Sequence, residues 1–319
     1  MDFTSLYYFS EVAKDLNMTK TADRLYISQQ TLSNHIQRLE SYYNAPLLYR
    51  KPRLQLTNAG KYVLDYARKM ERNERRLRDM ISDESLWDEG TLQVGATVAR
   101  GIQIFPNILP AFFRRYPKVR FDFREGTSDK QERMLSNGEV DFAIVFPHEY
   151  GPELTIRTLL QDQVYLCAAE ELLQRYYTSD EISGIKSVAL NGVDIQTVDR
   201  LPFSVMTTRL GRQVEAQARR KGTCLHTYFS GPSSLSVLPM CAQGVTAVYC
   251  THMALVSNPD KLGKNINIFP LHDEGKPIFQ TLSLLWYKQR YLPGYARYFM
   301  ELLFDFVETC GATQIARIV

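Results

Sequence analysis

The chain has 319 residues, 45% of them apolar, and a formal net charge of +3, enough length and apolar content for two or three domains with cores of their own. No stretch approaches the roughly 18 consecutive apolar residues of a membrane helix. The early charges Asp2, Glu11, Lys14 and Asp15 argue against a secretory leader. Five dispersed cysteines (Cys167, Cys224, Cys241, Cys250, Cys310) form no C-x-x-C pair and point to a reducing cytoplasm.

Residues 3–16 read as a helix with Leu6, Phe9, Val12, Ala13 and Leu16 on one side. The next stretch, 19–40, reads as two short helices joined by a tight turn. Thr19 is the expected N-cap of the first, Asp23 sits toward its positive end, and Ala22 and Leu25 face inward. Ser28 is the expected cap of the second, on which Leu32, Ile36 and Leu39 recur at helical spacing. Its outer face carries Gln29, Gln30, Thr31, Ser33, Asn34 and Arg38. Hydroxyls, amides and a guanidinium nearly free of carboxylates suit hydrogen bonding to base edges and phosphates of double-stranded DNA. Residues 47–50 and 54–56 read as two short strands around Arg50-Lys51-Pro52-Arg53, a wing that would lay Arg50 and Arg53 along a DNA backbone. From Ser28 to Lys61 only Glu40 opposes five Lys and Arg residues, and that clustering is the electrostatic footprint of phosphate binding.

Ala22-x-x-Leu25-x-Ile27-Ser28-Gln29-x-x-Leu32-Ser33-x-x-Ile36-x-x-Leu39-Glu40 resembles the signature of the LysR-type bacterial transcriptional regulators. The flanks agree: Leu6-Tyr7-Tyr8-Phe9, Pro46-Leu47-Leu48-Tyr49-Arg50 and Leu56-Thr57-Asn58-Ala59-Gly60. The likeness implies a winged helix-turn-helix DNA-binding domain over 1–60. Many relatives carry Pro then Ala where this chain has Gln30 and Thr31, and often a basic residue where it has Asn34. These departures fall on the reading helix, so the relatives' base preferences do not carry over.

From Thr57 to about Leu86 the chain is helical and strongly charged. Val63, Ala67, Met70, Glu74, Leu77 and Ile81 fall at alternating spacings of 4 and 3, a heptad seam with Glu74 as its flaw. The resemblance makes 61–88 a linker helix that pairs two subunits, through Val63, Ala67, Met70, Leu77 and Ile81, in a homodimer or homotetramer.

Strands and helices then alternate, which implies a mostly parallel sheet covered on both faces. Strands are expected at 92–96, 119–123, 141–146, 163–168, 203–206, 225–229, 245–249, 266–269 and 282–287. Helices are expected at 104–115, 130–135, 171–177, 210–220, 235–243 and 295–307. Crossings near 159–161 and 265–268 would make an α/β two-lobed domain, with lobe I from 89–161 and 267–319 and lobe II from 162–266. Gly138-Glu139-Val140-Asp141-Phe142-Ala143-Ile144 and Ala242-Gln243-Gly244-Val245-Thr246 resemble the family's periplasmic-binding-protein-like effector domain. A ligand would sit in the cleft at the strands' carboxyl ends. The loop 97–101 brings Thr97 and Arg100 to its mouth, the loop after the second strand brings Thr127 and Ser128, and the other lobe brings Thr207-Thr208-Arg209, with Thr208 as the expected ligand contact. Hydroxyls, helix N-termini and a guanidinium suit a small anionic effector.

Enzyme motifs are missing: no G-x-S-x-G, H-E-x-x-H, Walker loop or dinucleotide fingerprint occurs. The five histidines show no i, i+4 pairing, so no metal or other cofactor is expected, and each reads as a loop or surface residue. The family's peroxide-sensing branch keeps a reactive cysteine near the segment 207–212, where this chain has none. The reading is a cytoplasmic, non-enzymatic DNA-binding regulator with a small-molecule effector. The alternative is a soluble two-lobed solute-binding or catalytic domain with an N-terminal interaction module.

Overall fold

The computed structural model describes residues 2–84, 89–146, 151–189, 192–258 and 265–315. It divides into two compact units, Met1–Trp87 and Asp88–Val319.

In the first unit, α1 (Phe3–Asp15), α2 (Met18–Arg24) and α3 (Gln29–Tyr43) bury Leu6, Phe9, Val12, Ala22, Leu32, Ile36 and Leu39 together. Each helix starts on a polar cap. Asp2 accepts from Ser5 N–H at 2.7 Å, Asn17 from Lys20 N–H at 3.0 Å, and Ser28 from Thr31 N–H at 3.0 Å. Asn17, not Thr19, therefore caps α2. The helix begins two residues earlier than expected and leaves Asp23 in its last turn, away from the positive end. The Thr19 hydroxyl instead donates to Gln29 Oε1 at 3.2 Å. The strands β1 (Leu48–Tyr49) and β2 (Gln55–Leu56) pair antiparallel as the base of the wing.

The long helix α4 (Asn58–Glu84) corrects the heptad reading. Val63 and Ala67 are buried in this unit's own core, with Met70 packed against it. Of the apolar seam residues, Leu77 and Ile81, 52% and 55% exposed, are left for another surface. Half of the seam was thus the inner face of an amphipathic helix. The linker's expected end, 85–88, lies outside the described residues.

In the second unit, β3 (Gly90–Ala96), α5 (Val98–Arg115), β4 (Val119–Glu125), α6 (Ser128–Ser136) and β5 (Phe142–Val145) come first. The 16-residue β6 (Leu154–Ala169) is followed by α7 (Glu170–Tyr176), α8 (Ser179–Ala189) and β7 (Val193–Asp194). Then follow β8 (Pro202–Met206), α9 (Arg209–Arg220), β9 (His226–Gly231), α10 (Ser234–Ala242), β10 (Ala247–Thr251) and α11 (His252–Val256). The unit ends with β11 (Ile266–Asp273), β12 (Lys276–Pro277), β13 (Phe279–Tyr287) and α12 (Gly294–Ala312).

Two lobes share one long strand. The parallel strands β4, β3 and β5 join β13, which pairs antiparallel with β6 from Leu154 to Gln163. Beyond that point β6 pairs with β10 and β11, and the parallel β8 and β9 extend the second lobe from β10. The sheet is mixed rather than mostly parallel, because the strand that enters each lobe from the other, β13 in the first and β6 in the second, runs antiparallel to its neighbours. Each lobe has a core of its own. Leu92, Val94, Phe112, Phe142, Leu284 and Phe299 centre the first, and Leu166, Phe203, Val205, Val214, Val248 and Tyr249 the second. The second crossing differs from expectation. Residues 267–273 belong to β11 in the second lobe's sheet, and the chain returns only at Phe279, where β13 begins. An apolar strand looks the same in sequence whichever lobe it serves.

Candidate DNA interface and effector cleft

Leu32, Ile36 and Leu39 turn α3 inward and leave Gln29, Gln30, Thr31, Asn34 and Arg38 exposed, with Ser33 half-buried. The bonds on this face are local. Ser28 and Thr31 hydroxyls lie 2.8 Å apart, and Gln30 donates to Asn34 Oδ1 at 3.0 Å. DNA acceptors and donors can replace such exposed bonds at little cost. His35 is not a surface residue. It is half-buried behind α3, with Nδ1 2.8 Å from Ser5 Oγ and its ring edge-on to Tyr8. At the wing, Glu40 accepts from Leu47 N–H at 2.9 Å and from Arg50 at 3.3 Å. Arg50 is thus tied to the end of α3, while Arg53 lies exposed in the wing.

In the second unit, Thr97, Thr127 and Thr208 are N-caps of α5, α6 and α9, accepting from Arg100, Lys130 and Gly211 N–H. Ser128 is buried, and its hydroxyl accepts from Phe146 N–H at 3.4 Å. A hydroxyl that accepts in this way still has its own proton to donate, and Ser128 stands in the first turn of α6, an end that favours anions. Thr97 and Thr127 stand at the carboxyl ends of the neighbouring strands β3 and β4. Thr208 follows β8 in the other lobe, where Gly211 lies so close to Met206 O that a Cβ would sit 1.6 Å from it. The Tyr249 phenol lies beneath the same helix start, and burial pushes its pKa well up, so it stays neutral.

Arg100 departs most from expectation. Residues 98–101 form the first turn of α5 rather than a loop, which turns Arg100 into the protein, only 5% exposed. Its guanidinium donates to Asp162 Oδ2 at 2.8 Å, Gln103 Oε1 at 3.1 Å and Thr251 Oγ1 at 3.3 Å, and lies over the Phe146 ring. Asp162 also accepts from Met253 N–H at 2.9 Å. The residue expected to clamp a ligand is thus spent on a buried node where β6 passes between the lobes. A second guanidinium also joins the lobes, that of Arg209, reaching from α9 to Asp129, Glu132 and the Phe146 carbonyl of the first lobe. The sequence brought Arg209 to the cleft with Thr207 and Thr208 but did not single it out as the residue that holds the other lobe.

Cys167, Cys241 and Cys250 are buried in the second lobe, whereas Cys224 is exposed. A hydrogen bond to Cys250 together with burial pushes the Cys167 thiol well up, and burial does the same at Cys241. Among the described residues no group of His, Cys, Asp or Glu could hold a metal ion, and no helix is long and apolar enough to cross a membrane.

Two family models match the chain: "Bacterial regulatory helix-turn-helix protein, lysR family" over residues 3–61 and "LysR substrate binding domain" over residues 88–307. The uncharacterised HTH-type transcriptional regulator YcgK of Bacillus subtilis strain 168 is 25% identical over 311 residues, 95% of this chain and 94% of that one. A full-length OxyR variant from Pseudomonas aeruginosa superimposes with a TM-score of 0.66 at 19% identity over 99% of each chain. Full-length CbnR in complex with its target DNA superimposes with a TM-score of 0.57 at 20% identity, over 96% of this chain and 100% of that one. At these identities the structural likeness shows the fold, while the two models together span both units: the chain belongs to the LysR family and is a DNA-binding transcriptional regulator with an effector-binding domain, not an enzyme.

Proposed function

We propose that α3 reads base edges in the major groove through Gln29, Gln30, Thr31, Ser33 and Asn34, with Ser28, Arg38, Arg50 and Arg53 on the flanking phosphates. The observation that carries this is the exposed, carboxylate-free face of α3 inside the matched helix-turn-helix segment. The regulator works in the cytoplasm as a homodimer or homotetramer. Its assembly uses the end of α4, where Leu77 and Ile81 are exposed. Sedimentation checks this: Leu77→Asp with Ile81→Asp should give a monomer, and a variant that stays dimeric removes α4 from the assembly.

The effector is a small anion held between lobes 89–163 with 279–319 and 164–278, by the hydroxyls of Thr97, Thr127, Ser128 and Thr208. Support comes from their shared place at strand ends and helix starts on both sides of one cleft. The test is a thermal-shift screen of metabolite anions on the full-length protein. Thr97→Val and Thr127→Val should lose the shift that wild type shows, and the Ser variants, which keep cap and proton, should retain it. Full shifts in both Val variants would move the ligand elsewhere.

A further inference from the structure

Arg209 opens α9 in the second lobe, yet its guanidinium is held by the first. It donates to the Phe146 carbonyl at the end of β5 and to Asp129 on α6, with Glu132 Oε1 at 3.3 Å. The two sides of this clasp are unequal. Asp129 lies in the first turn of α6, where the helix dipole favours a carboxylate with or without a cation. Arg209 lies at the positive end of α9, where the dipole disfavours it, so it depends on an anion facing it. The Asp129 side chain is 52% exposed and that of Arg209 25%, so the pair is weak and open to exchange. Gln213, one turn further along α9, bonds to Gln280 on β13 and adds another contact from this helix to the first lobe.

We propose that Arg209 is the residue through which the cleft recognises a carboxylate, and that Asp129 and Glu132 occupy it as internal competitors while no effector is bound. The carboxylate of a small molecule takes the guanidinium from α6. One lobe-to-lobe tie is exchanged for a ligand contact, and the balance between lobe arrangements shifts by the difference in affinity. This rests on the cleft reading above but names a residue outside its hydroxyl set.

The test uses the full-length protein at low salt with succinate as the probe and the melting midpoint as readout. Asp129→Asn with Glu132→Gln removes both competing carboxylates and leaves the guanidinium on the Phe146 carbonyl alone. Apparent succinate binding should then tighten about tenfold, the factor for a clasp closed about nine-tenths of the time. Adding Arg209→Gln to that pair should abolish the gain. Equal midpoint rises in all three proteins, or no rise in any, would overturn the proposal. Hydrogen exchange without succinate is the second measurement. Amides in the first turns of α6 and α9 should exchange faster in Arg209→Gln alone than in wild type, and unchanged rates would also overturn it. If Arg209 proves irrelevant while Thr97→Val and Thr127→Val still lose their ligand shift, the cleft stands without this residue. If those variants respond fully as well, the cleft reading falls with it.

Discussion

The reading helix and the effector cleft are built from the same polar side chains and use them in opposite ways. On α3 the hydroxyls and amides lie on an exposed face, and their mutual bonds are exposed too. In the cleft, Thr97, Thr127 and Thr208 cap helices, Ser128 holds the end of β5, Arg100 is buried on Asp162 and Arg209 is clasped across the lobes. One surface waits for a partner with its groups presented. The other has its groups engaged, so a ligand has to share or displace existing bonds. A DNA reader gains from a fixed face whose register is set before contact. A sensor gains from groups whose present partners belong to one arrangement of the lobes.

The sharpest way to break this comparison is at Arg100. Arg100→Met leaves the Asp162 carboxylate buried beside a thioether, and removing one partner of a buried ion pair costs about 3–5 kcal/mol. Calorimetry of the full chain should show the Asp88–Val319 unit melting earlier while the Met1–Trp87 unit is unmoved. Adding Asp162→Asn, which keeps the acceptor for Met253 N–H but drops the charge, should recover much of the loss. An unchanged melt in Arg100→Met would mean that the cleft's polar groups are not structurally committed, and the contrast with α3 would fail.

The DNA face gives a smaller effect of a different kind. Alanine at Gln29, Thr31 or Asn34 should alter which sequences are recovered from a random duplex pool, by about 1–3 kcal/mol at the affected base pairs. Arg53→Ala should instead weaken binding about evenly on all sequences and lower the salt slope by about 1. Arg50→Ala should do less, since Arg50 is shared with Glu40. A change of base preference in the wing variants with none in the helix variants would reverse the assignment of these two elements.

Exposure was legible in the sequence, and commitment was not. Leu32, Ile36 and Leu39 at helical spacing fix which side of α3 is outward, so the reading face follows from local order alone. The strands β3, β4, β5, β8 and β9 stand within two residues of the ranges expected from the alternation of strands and helices. Arg100 was misplaced because Thr97 caps a helix six residues before the expected start, and one turn of helix is enough to point a side chain into the core. Val63 and Ala67 were misassigned because a heptad stripe has the same pattern whether it meets a partner chain or its own domain. The Arg209 clasp joins residues 80 positions apart, a separation across which no periodicity carries information.

The smallest effect lies in the first unit, where Arg24 on α2 ties Glu11 and Asp15 on α1. The hydrogen bond from Arg24 is the main cause that lowers the Asp15 pKa. At Glu11 burial raises it, but hydrogen bonds from Lys14 and Arg24 outweigh that and lower it overall. Carboxyls with depressed folded-state pKa values contribute stability that is fully present above their unfolded values, near pH 4, and lost as pH falls through the lower folded ones. The first unit's melting point should therefore hold steady from neutral pH to about 5 and decline below 4. Arg24 is substantially exposed, so solvent screening keeps the contribution to about 1 kcal/mol or less. Arg24→Met should flatten that acid decline without touching the reading face, since Arg24 lies on α2 and points to α1. A decline as steep in the variant as in wild type would assign the acid sensitivity to other carboxylates. Loss of DNA affinity at neutral pH would mean instead that the α1–α2 tie sets the position of α3, and that the reading face is less self-sufficient than its periodicity implies.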